Sequence, residues 1–453
     1  MIKPVTTPLG IRALDDRAAV RRLFDRFGFG PRPGEFASAA GRGFDATLAA
    51  MLDPGDDPGA RSTPPPALEP EPEKPDKPEG GKPGKEARKR LRQLQKDQVT
   101  AITAWWLDRM VLATKPAAER ITWFWHGHFA TSAQKVRSAR LMLAQNETLR
   151  RLGAGPFAPL AKAMVVDPAM LVWLDGQKNR VGAPNENLAR EFMELFTLGV
   201  GHYTEDDVKE AARALTGWRV DRATGEARQV PRQHDDGPKA VLGASGPFDA
   251  ASLVDLLLTR PECARFVAQR MWHRLVSTEP APPEAIQRLA AAYGPGKNTL
   301  ALLKGIAAEP AFRDAGTSMV KQPVEWLVGL CRAVGVRPGA LPDKIRVRLL
   351  GGMRGMGQVP FLPPSVGGWP SGSSWLTTSS ALTRLQVAQL VAQHADLRDL
   401  TAAAAQSRVD GVRNLLAVDG WSERTVTALR QVQDDPKQLV AVAACAPEYV
   451  VSA

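Results

Sequence analysis

The segment from Pro184 to Val220 constrains the fold of this chain more than any other stretch. It reads PNENLAREFMELFTLGVGHYTEDDVKEAARALTGWRV, and its apolar residues recur three and four positions apart, as on one face of an α-helix. Gly199 and Gly201 are expected to end this first helix. Thr204 with Asp207 three positions later predicts a capping box, with Asp in place of the usual Glu, that begins a second helix. Two amphipathic helices in succession indicate a helical protein.

The same helical periodicity returns along most of the chain, whereas the alternation typical of strands is nearly absent. The exception is the region 218–243, where Val220, Val230 and the turn residues Thr224 and Gly225 indicate a small hairpin or an irregular loop. We therefore predict an all-α fold, an irregular array of many helices with little sheet.

Composition divides the 453-residue chain into three parts. Residues 1–52 are expected to form an N-terminal helical segment that packs on the main domain, and residues 85–453 to form that domain. Between them, residues 53–84 are rich in Pro, Glu and Lys and contain hardly an apolar side chain. Such a segment buries too little surface to offset its ordering entropy, so we predict a disordered insert.

The net charge of the chain is +11, and much of the excess lies in a helix that begins near Lys85. The run from Lys85 to Lys96 could contact a phosphate backbone or another acidic surface. No zinc-finger spacing or aromatic RNA-binding signature accompanies it, so nucleic acid is not an expected partner. A solvated helical face is the simpler interpretation of such a run.

The sequence also indicates the cellular compartment in which the protein is expected. No run of about eighteen apolar residues is present, so no membrane span is expected. The N-terminus lacks the apolar core of a secretory signal, which favours a cytoplasmic location for the sequence as written. Cys263, Cys331 and Cys445 are far apart and lie in apolar helical contexts, which indicates buried free thiols.

Two histidines two positions apart, His126 and His128, lie in the aromatic run WFWHGHF. A His-x-His pair supplies two metal ligands when the backbone is extended or turned, and Gly127 permits such a break. On an unbroken α-helix the two side chains point about 200° apart, and only one of them can face a given site. The alternative is that each imidazole is hydrogen-bonded to a neighbour within an aromatic helix.

The first helix of the central pair carries more polar side chains than folding requires. Glu191 and Glu194, three positions apart, have the spacing by which helical bundles present carboxylates to metal ions. We predict Glu191, together with the neighbouring Asn185 and Arg190, as the catalytic residues. The alternative is a solvated face held by ion pairs, since Glu186 and Arg190 have the i, i+4 spacing of a salt bridge.

A third polar cluster, His234 with Asp235, precedes the tight turn Asp236-Gly237-Pro238. His and Asp are common metal ligands, and a rigid turn would hold them in place. A surface turn stabilised by its own Asp side chains is the alternative. The predicted metal ligands are therefore His126, His128, Glu191, Glu194, His234 and Asp235.

Eight segments give the chain a resemblance to a known family. They are RRLFDRFGFGPRPGEF, ERITWFWHGHFATS, QNETLRRLGAGPF, DPAMLVWLDGQKN, PNENLAREFMELFTLGVGHYTEDDVKEAARALTGW, HDDGPKAVLG, VKQPVEWLVGLCRAVG and PPSVGGWPSGSSWL. In this order they resemble the bacterial family named domain of unknown function 1800. The resemblance covers nearly the whole chain outside the insert. It implies a mainly helical, largely single-domain protein that is often exported and often encoded beside a second uncharacterised family. It brings no established reaction with it, and it raises an exported location as the alternative to the cytoplasm.

Three functional hypotheses follow from these patterns. In the first, the polar clusters meet around a divalent metal ion that activates water, which would make the protein a metal-assisted hydrolase. In the second, the protein is a helical scaffold or interaction module without catalysis, and its polar clusters are hydrogen-bond networks that fix the core and leave its surface for a partner protein. In the third, the protein binds an acidic surface through Lys85 to Lys96.

Overall fold

The computed structural model describes residues 12–70, 85–222 and 224–452. In these ranges the chain forms 24 α-helices and three two-stranded antiparallel sheets, which confirms the predicted all-α class. The helices are α1 (Asp16–Phe27), α2 (Glu35–Arg42), α3 (Phe44–Met51), α4 (Pro58–Arg61), α5 (Lys85–Leu112), α6 (Ala117–His128), α7 (Ala133–Val136), α8 (Ala139–Leu152), α9 (Phe157–Val165), α10 (Pro168–Trp173), α11 (Asn187–Glu191), α12 (Glu205–Ala214), α13 (Ala250–Thr259), α14 (Pro261–Leu275), α15 (Pro283–Tyr293), α16 (Thr299–Ala308), α17 (Pro323–Val334), α18 (Asp343–Gly355), α19 (Thr378–Gln393), α20 (Arg398–Ala402), α21 (Arg408–Leu415), α22 (Glu423–Arg430), α23 (Pro436–Ala443) and α24 (Pro447–Val450). The strands are β1 (Trp218–Asp221), β2 (Glu226–Gln229), β3 (Lys239–Val241), β4 (Ala244–Gly246), β5 (Met319–Val320) and β6 (Val451–Ser452).

The region 218–243 contains the predicted hairpin. Strands β1 and β2 pair in antiparallel register, with Trp218 opposite Gln229, and the turn between them includes Gly225 at φ +78°. Strands β3 and β4 form a second, shorter hairpin directly after it. The short sheets lie beside the helices and leave the architecture helical.

The central helix pair forms as predicted. Both hydrogen bonds of the capping box between Thr204 and Asp207 are present at the start of α12. Gly199 and Gly201 end the preceding helix with positive φ angles of +88° and +85°, which glycine adopts without strain. One feature of that helix is not evident from its periodicity: after α11 the chain continues as a π-helix over Phe192–Thr197. Single π-turns of this kind occur frequently at functional sites.

Two clusters of buried apolar side chains form the core. The first joins the N-terminal helices α1 to α3 with α9 and α12 to α16, and the second joins α5 with α17 to α19 and α21 to α23. Helix α6 lies between them, since its Trp125 belongs to the first cluster and its Trp123 to the second. The two histidines of α6 are therefore held where the two cores meet.

The insert predicted to be disordered is only partly described. Residues 53–70 contain α4, whose N-cap Asp57 also accepts hydrogen bonds from the backbone of Thr114 and Lys115 at 2.9 Å. The indole of Trp105 on α5 donates to the carbonyl of Thr63 at 2.9 Å. These residues therefore pack along α5 through polar contacts. Residues 71–84 lie outside the described part of the chain.

Among the helices that the structure describes, none combines the length and the apolar character needed to cross a membrane. Helix α5, at 28 residues the longest of them, begins with the strongly basic run noted above.

Candidate functional site

His126 lies in an aromatic environment on the side of the second core. It is 1% exposed, and its ring centroid is 5.1 Å from that of Trp106 and 5.3 Å from that of Phe361. The backbone N–H of Phe361 donates to its Nε2 at 3.0 Å. Burial lowers the pKa of His126 to about 3, so the imidazole is neutral at physiological pH.

His128 lies on the side of the first core, where its ring stacks on Phe124 with the centroids 5.8 Å apart. Its Nε2 is 3.0 Å from the backbone carbonyl oxygen of Phe196. This oxygen belongs to the π-helix that ends at Thr197, and the last carbonyls of a helix need partners from outside it. Because α6 continues through Gly127 without a break, the two imidazoles emerge on different sides, and the predicted His-x-His chelate does not form.

The predicted catalytic residues lie together at the surface beside the π-helix. Arg190 forms ion pairs with Glu205 at 2.7 Å and with Glu186 at 3.1 Å. Asn185 accepts a hydrogen bond from the backbone N–H of Asn187 at 3.1 Å, which satisfies the first free N–H group of α11. These contacts match the ion-paired alternative described above.

The two carboxylates of the same helix differ in their surroundings. Glu194 accepts a hydrogen bond from the hydroxyl of Tyr203. Glu191 makes no hydrogen bond or ion pair within the described chain. Burial, together with the nearby charge of Glu194, raises the pKa of Glu191.

The side chains of His234 and Asp235 have different partners. Nδ1 of His234 is 3.0 Å from the carbonyl oxygen of Thr216, whereas Asp235 forms an ion pair with Arg213 at 2.8 Å. The hydrogen bond from Arg213 lowers the pKa of Asp235. Across the described ranges, no group of three or more His, Cys, Asp or Glu side chains has an arrangement that could hold a metal ion. The six predicted ligands lie in four separate parts of the structure, namely at His126, at His128, on the helix that carries Glu191 and Glu194, and at the turn with His234 and Asp235.

A different set of side chains surrounds a small pocket between α6, α14 and the start of α17. A water-sized molecule has about 20 Å³ of space there. The pocket is lined by Arg120, Trp123, Phe124, Gly127, His128, Arg270, Arg274, Leu275, Gln322, Glu325 and Trp369. His128 is thus the one predicted metal ligand that reaches this pocket.

The pocket carries an excess of positive charge, because three guanidinium groups face one carboxylate. Arg120 forms an ion pair with Glu325 at 2.6 Å, and both side chains are more than nine-tenths buried. Arg274 donates to the carbonyl oxygens of Trp369 at 2.6 Å and Pro370 at 3.1 Å. With one ion pair formed and the histidine neutral, two positive charges are not balanced by any carboxylate that lines the pocket.

Arg270 has no partner among the residues that the structure describes. It is half-buried and makes no hydrogen bond or ion pair with any described residue. Burial lowers the pKa of Arg270, and burial followed by the repulsion from Arg270 lowers the pKa of Arg274 to about 10. A desolvated cation without a counter-charge is costly, and an anion in the pocket would relieve that cost.

His128, which lines this pocket, carries a nitrogen without a partner among the described residues. It is 2% exposed, and its Nδ1 has no hydrogen-bond partner in the described chain. Burial, with a smaller contribution from the charge of Arg270, lowers its pKa to about 3 despite the opposing bond to Phe196. The imidazole is therefore neutral at physiological pH.

Local sequence features fix the walls of the pocket. Gln322 and Glu325 form a capping box at the start of α17, so the carboxylate that pairs with Arg120 is also held by the backbone. Gly368 has φ +84°, and a Cβ atom there would lie 2.4 Å from the carbonyl oxygen of Gly127. Glycine is needed at this position for the loop to approach α6 and bring Trp369 against the pocket.

The arginines of this site are not among the residues predicted from the sequence. Arg270 and Arg274 are one helical turn apart on α14, and no carboxylate occurs three or four positions from either. Exposed helical arginines are commonly paired at that spacing, so a pair without partners inside an amphipathic helix is a usable signal.

Comparisons with known proteins agree with the resemblance seen in the sequence. Searches of the curated proteins and of the solved structures gave no match. The family model described as "Protein of unknown function (DUF1800)" matches residues 22–451. Three of the segments that carry the resemblance line the pocket, and a fourth supplies the Phe196 carbonyl that holds His128. The match covers nearly the whole chain, and the protein therefore belongs to the DUF1800 family.

Proposed function

We propose that this protein binds a small anionic ligand in the pocket between α6, α14 and α17. The observation that carries the proposal is the unpaired, partly desolvated guanidinium of Arg270 beside a second arginine, Arg274. Guanidinium groups bind oxyanions through two parallel N–H donors, and the interaction strengthens where water is excluded. An oxyanion in contact with Arg270 would supply the missing counter-charge.

The size of the pocket limits the ligand. The present space holds one water-sized molecule, so an oxyanion requires the walls to move outwards. Arg270 is suited to this movement because it is half-buried and has no partner to release. A small inorganic oxyanion, or the carboxylate end of a larger molecule, is both small enough for the widened pocket and charged enough to pair with Arg270.

The test is calorimetric titration of the purified protein with inorganic phosphate. We expect one site per chain, and we expect Arg270→Gln to weaken binding at least about tenfold, or about 1.4 kcal/mol. Arg265→Gln is the matched control, because Arg265 is exposed on the same helix and does not line the pocket. Parent protein that binds neither phosphate, sulfate nor acetate would refute the proposal.

Two of the functions considered from the sequence, metal-assisted hydrolysis and a non-catalytic scaffold, remain hypotheses. For metal-assisted hydrolysis, the remaining support is the pair Glu191 and Glu194, in which the Glu191 side chain has no partner among the described residues. Stoichiometric metal in the purified protein, reduced by Glu191→Gln, would support that hypothesis. For the scaffold hypothesis, the support is that several of the polar clusters are hydrogen-bonded or ion-paired, as for Asn185 and Arg190.

A further inference from the structure

The hydrogen bond between His128 and Phe196 determines which nitrogen of the imidazole carries the hydrogen. A carbonyl oxygen only accepts, so Nε2, 3.0 Å from the oxygen of Phe196, must be the donor. A neutral imidazole has one N–H group, and Nδ1 therefore presents a bare lone pair. His126 has the opposite arrangement, because its Nε2 accepts from the backbone of Phe361.

The unpaired Nδ1 belongs to a side chain that lines the arginine pocket. It is buried and has no partner among the described residues. The carboxylate of Glu325 is likewise an acceptor, since its Oε2 accepts from the backbone N–H of Gln322 at 3.1 Å. The pocket thus combines cationic donors with acceptors that can give no hydrogen to a ligand.

We propose that the pocket selects an oxyanion that still carries a hydrogen, such as hydrogen phosphate, and that its O–H group donates to Nδ1 of His128. The ionised oxygens of the ligand face Arg270 and Arg274. This inference rests on the proposed anion binding and adds the class of ligand to it. A fully ionised oxyanion offers only lone pairs. It therefore leaves Nδ1 of His128 without a donor and places a ligand oxygen, itself an acceptor, beside that nitrogen.

Phosphate and sulfate are a matched pair of probes for this inference. At pH 8 both are tetrahedral dianions of nearly equal size, and only phosphate retains an O–H group. An unsatisfied buried acceptor costs enough to change affinity by a factor of about 10 to 100. We expect phosphate to bind more tightly than sulfate by a factor in this range at constant ionic strength.

A third probe separates free phosphate from its esters. Methyl phosphate has a second pKa of about 6, so at pH 8 it is a dianion without an O–H group. If the site selects the hydrogen, methyl phosphate should bind as weakly as sulfate. Methyl phosphate that binds as tightly as phosphate would show that the site recognises the phosphoryl group itself, and would overturn the inference.

Two substitutions of His128 should affect the preference for phosphate over sulfate in opposite ways. In His128→Gln the side-chain amide reaches the position of Nε2, so the donor to Phe196 is kept and the acceptor at Nδ1 is lost. In His128→Asn the amide oxygen takes the position of Nδ1, so the acceptor is kept and the bond to Phe196 is lost. We expect the preference for phosphate to fall to within about twofold in the Gln variant. It should persist in the Asn variant.

These experiments distinguish failure of this inference from failure of the proposed anion binding. Equal binding of phosphate and sulfate by the parent protein would overturn this inference and leave the anion pocket in place. Binding of neither anion would overturn both. A preference that persists in His128→Gln would contradict the role of Nδ1. The comparison on the parent protein needs no substitution, so it decides the question even if a variant does not fold.

Discussion

The buried imidazole of His126 should make the stability of this protein fall in mild acid by an amount that can be calculated. Burial lowers its pKa from 6.5 to about 3. Between these two values the unfolded chain binds a proton at this residue and the folded chain does not. The free energy of unfolding therefore decreases as the pH falls below 6.5, and the loss continues until the pH reaches the folded pKa.

The magnitude follows from the two pKa values. Between pH 7.5 and pH 4.5 the single site should remove about 2.6 kcal/mol from the free energy of unfolding, with almost all of the loss below pH 6.5. His128 and the buried Asp167 also titrate abnormally, the latter with a pKa raised by burial to about 7, so the pH dependence of the parent alone mixes several groups. A substitution that removes only His126 separates its contribution.

His126→Gln serves this purpose, because the amide oxygen can accept the hydrogen bond from Phe361 in place of Nε2. The loss of ring packing changes stability by an amount that does not depend on pH. Urea unfolding of parent and variant at pH 7.5, 6.5, 5.5 and 4.5 should therefore show a difference that shifts by about 2.6 kcal/mol in favour of the variant. His202→Gln, at an exposed position, is the control, and its stability should run parallel to that of the parent. Parallel curves for His126→Gln and the parent would refute the conclusion that this imidazole is buried in its neutral form.

Two further predictions concern the buried ion pair of Glu119 and the close approach of the Gly368 loop to α6. Glu119 is 1% exposed and accepts from Arg150 at 2.7 Å as part of a buried ion-pair network, so Glu119→Gln should cost about 3–5 kcal/mol in urea unfolding. Glu147→Gln, which removes a more exposed partner of the same arginine, should cost less than about 1 kcal/mol, and equal losses would contradict the role of burial. Gly368→Ala should lower both Tm and phosphate affinity, because the new Cβ meets the backbone of α6 at 2.4 Å. Gly243→Ala is its control at a similar φ of +79° without any atom within 4 Å, and comparable effects of the two would show that the close approach is unimportant.

The proposed anion pocket could not be derived from periodicity, because its members are distant in the chain. Arg120 and His128 come from α6, Arg270 from α14, Glu325 from α17 and Trp369 from a glycine-rich loop. Each of these residues fits the sequence pattern of its own helix or loop, so nothing local marks it as part of a site. Their meeting depends on how the two cores pack around α6, and this information is spread over several hundred residues.

The insert of residues 53–84 shows a related limit on what composition can predict. Its composition predicts disorder because it has few apolar side chains to bury. Residues 57–70 are nevertheless held, through the carboxylate of Asp57 and the carbonyl of Thr63, by donors on a surface formed by α5 and the residues after it. Hydrogen bonds to a preformed surface do not depend on the hydrophobicity of the segment, so composition alone could not reveal them.

The amino-acid sequence by itself determined the helical class, the hairpin near 218–243, the capping box of Thr204 and Asp207, and membership in the family. These features depend on contacts three or four positions apart, or on short motifs, and both can be read along the chain. The tertiary structure alone decided the surroundings of His126 and His128. An unbroken helix placed them on opposite sides, one against the aromatic side chains of the second core and the other beside an arginine without a counter-charge.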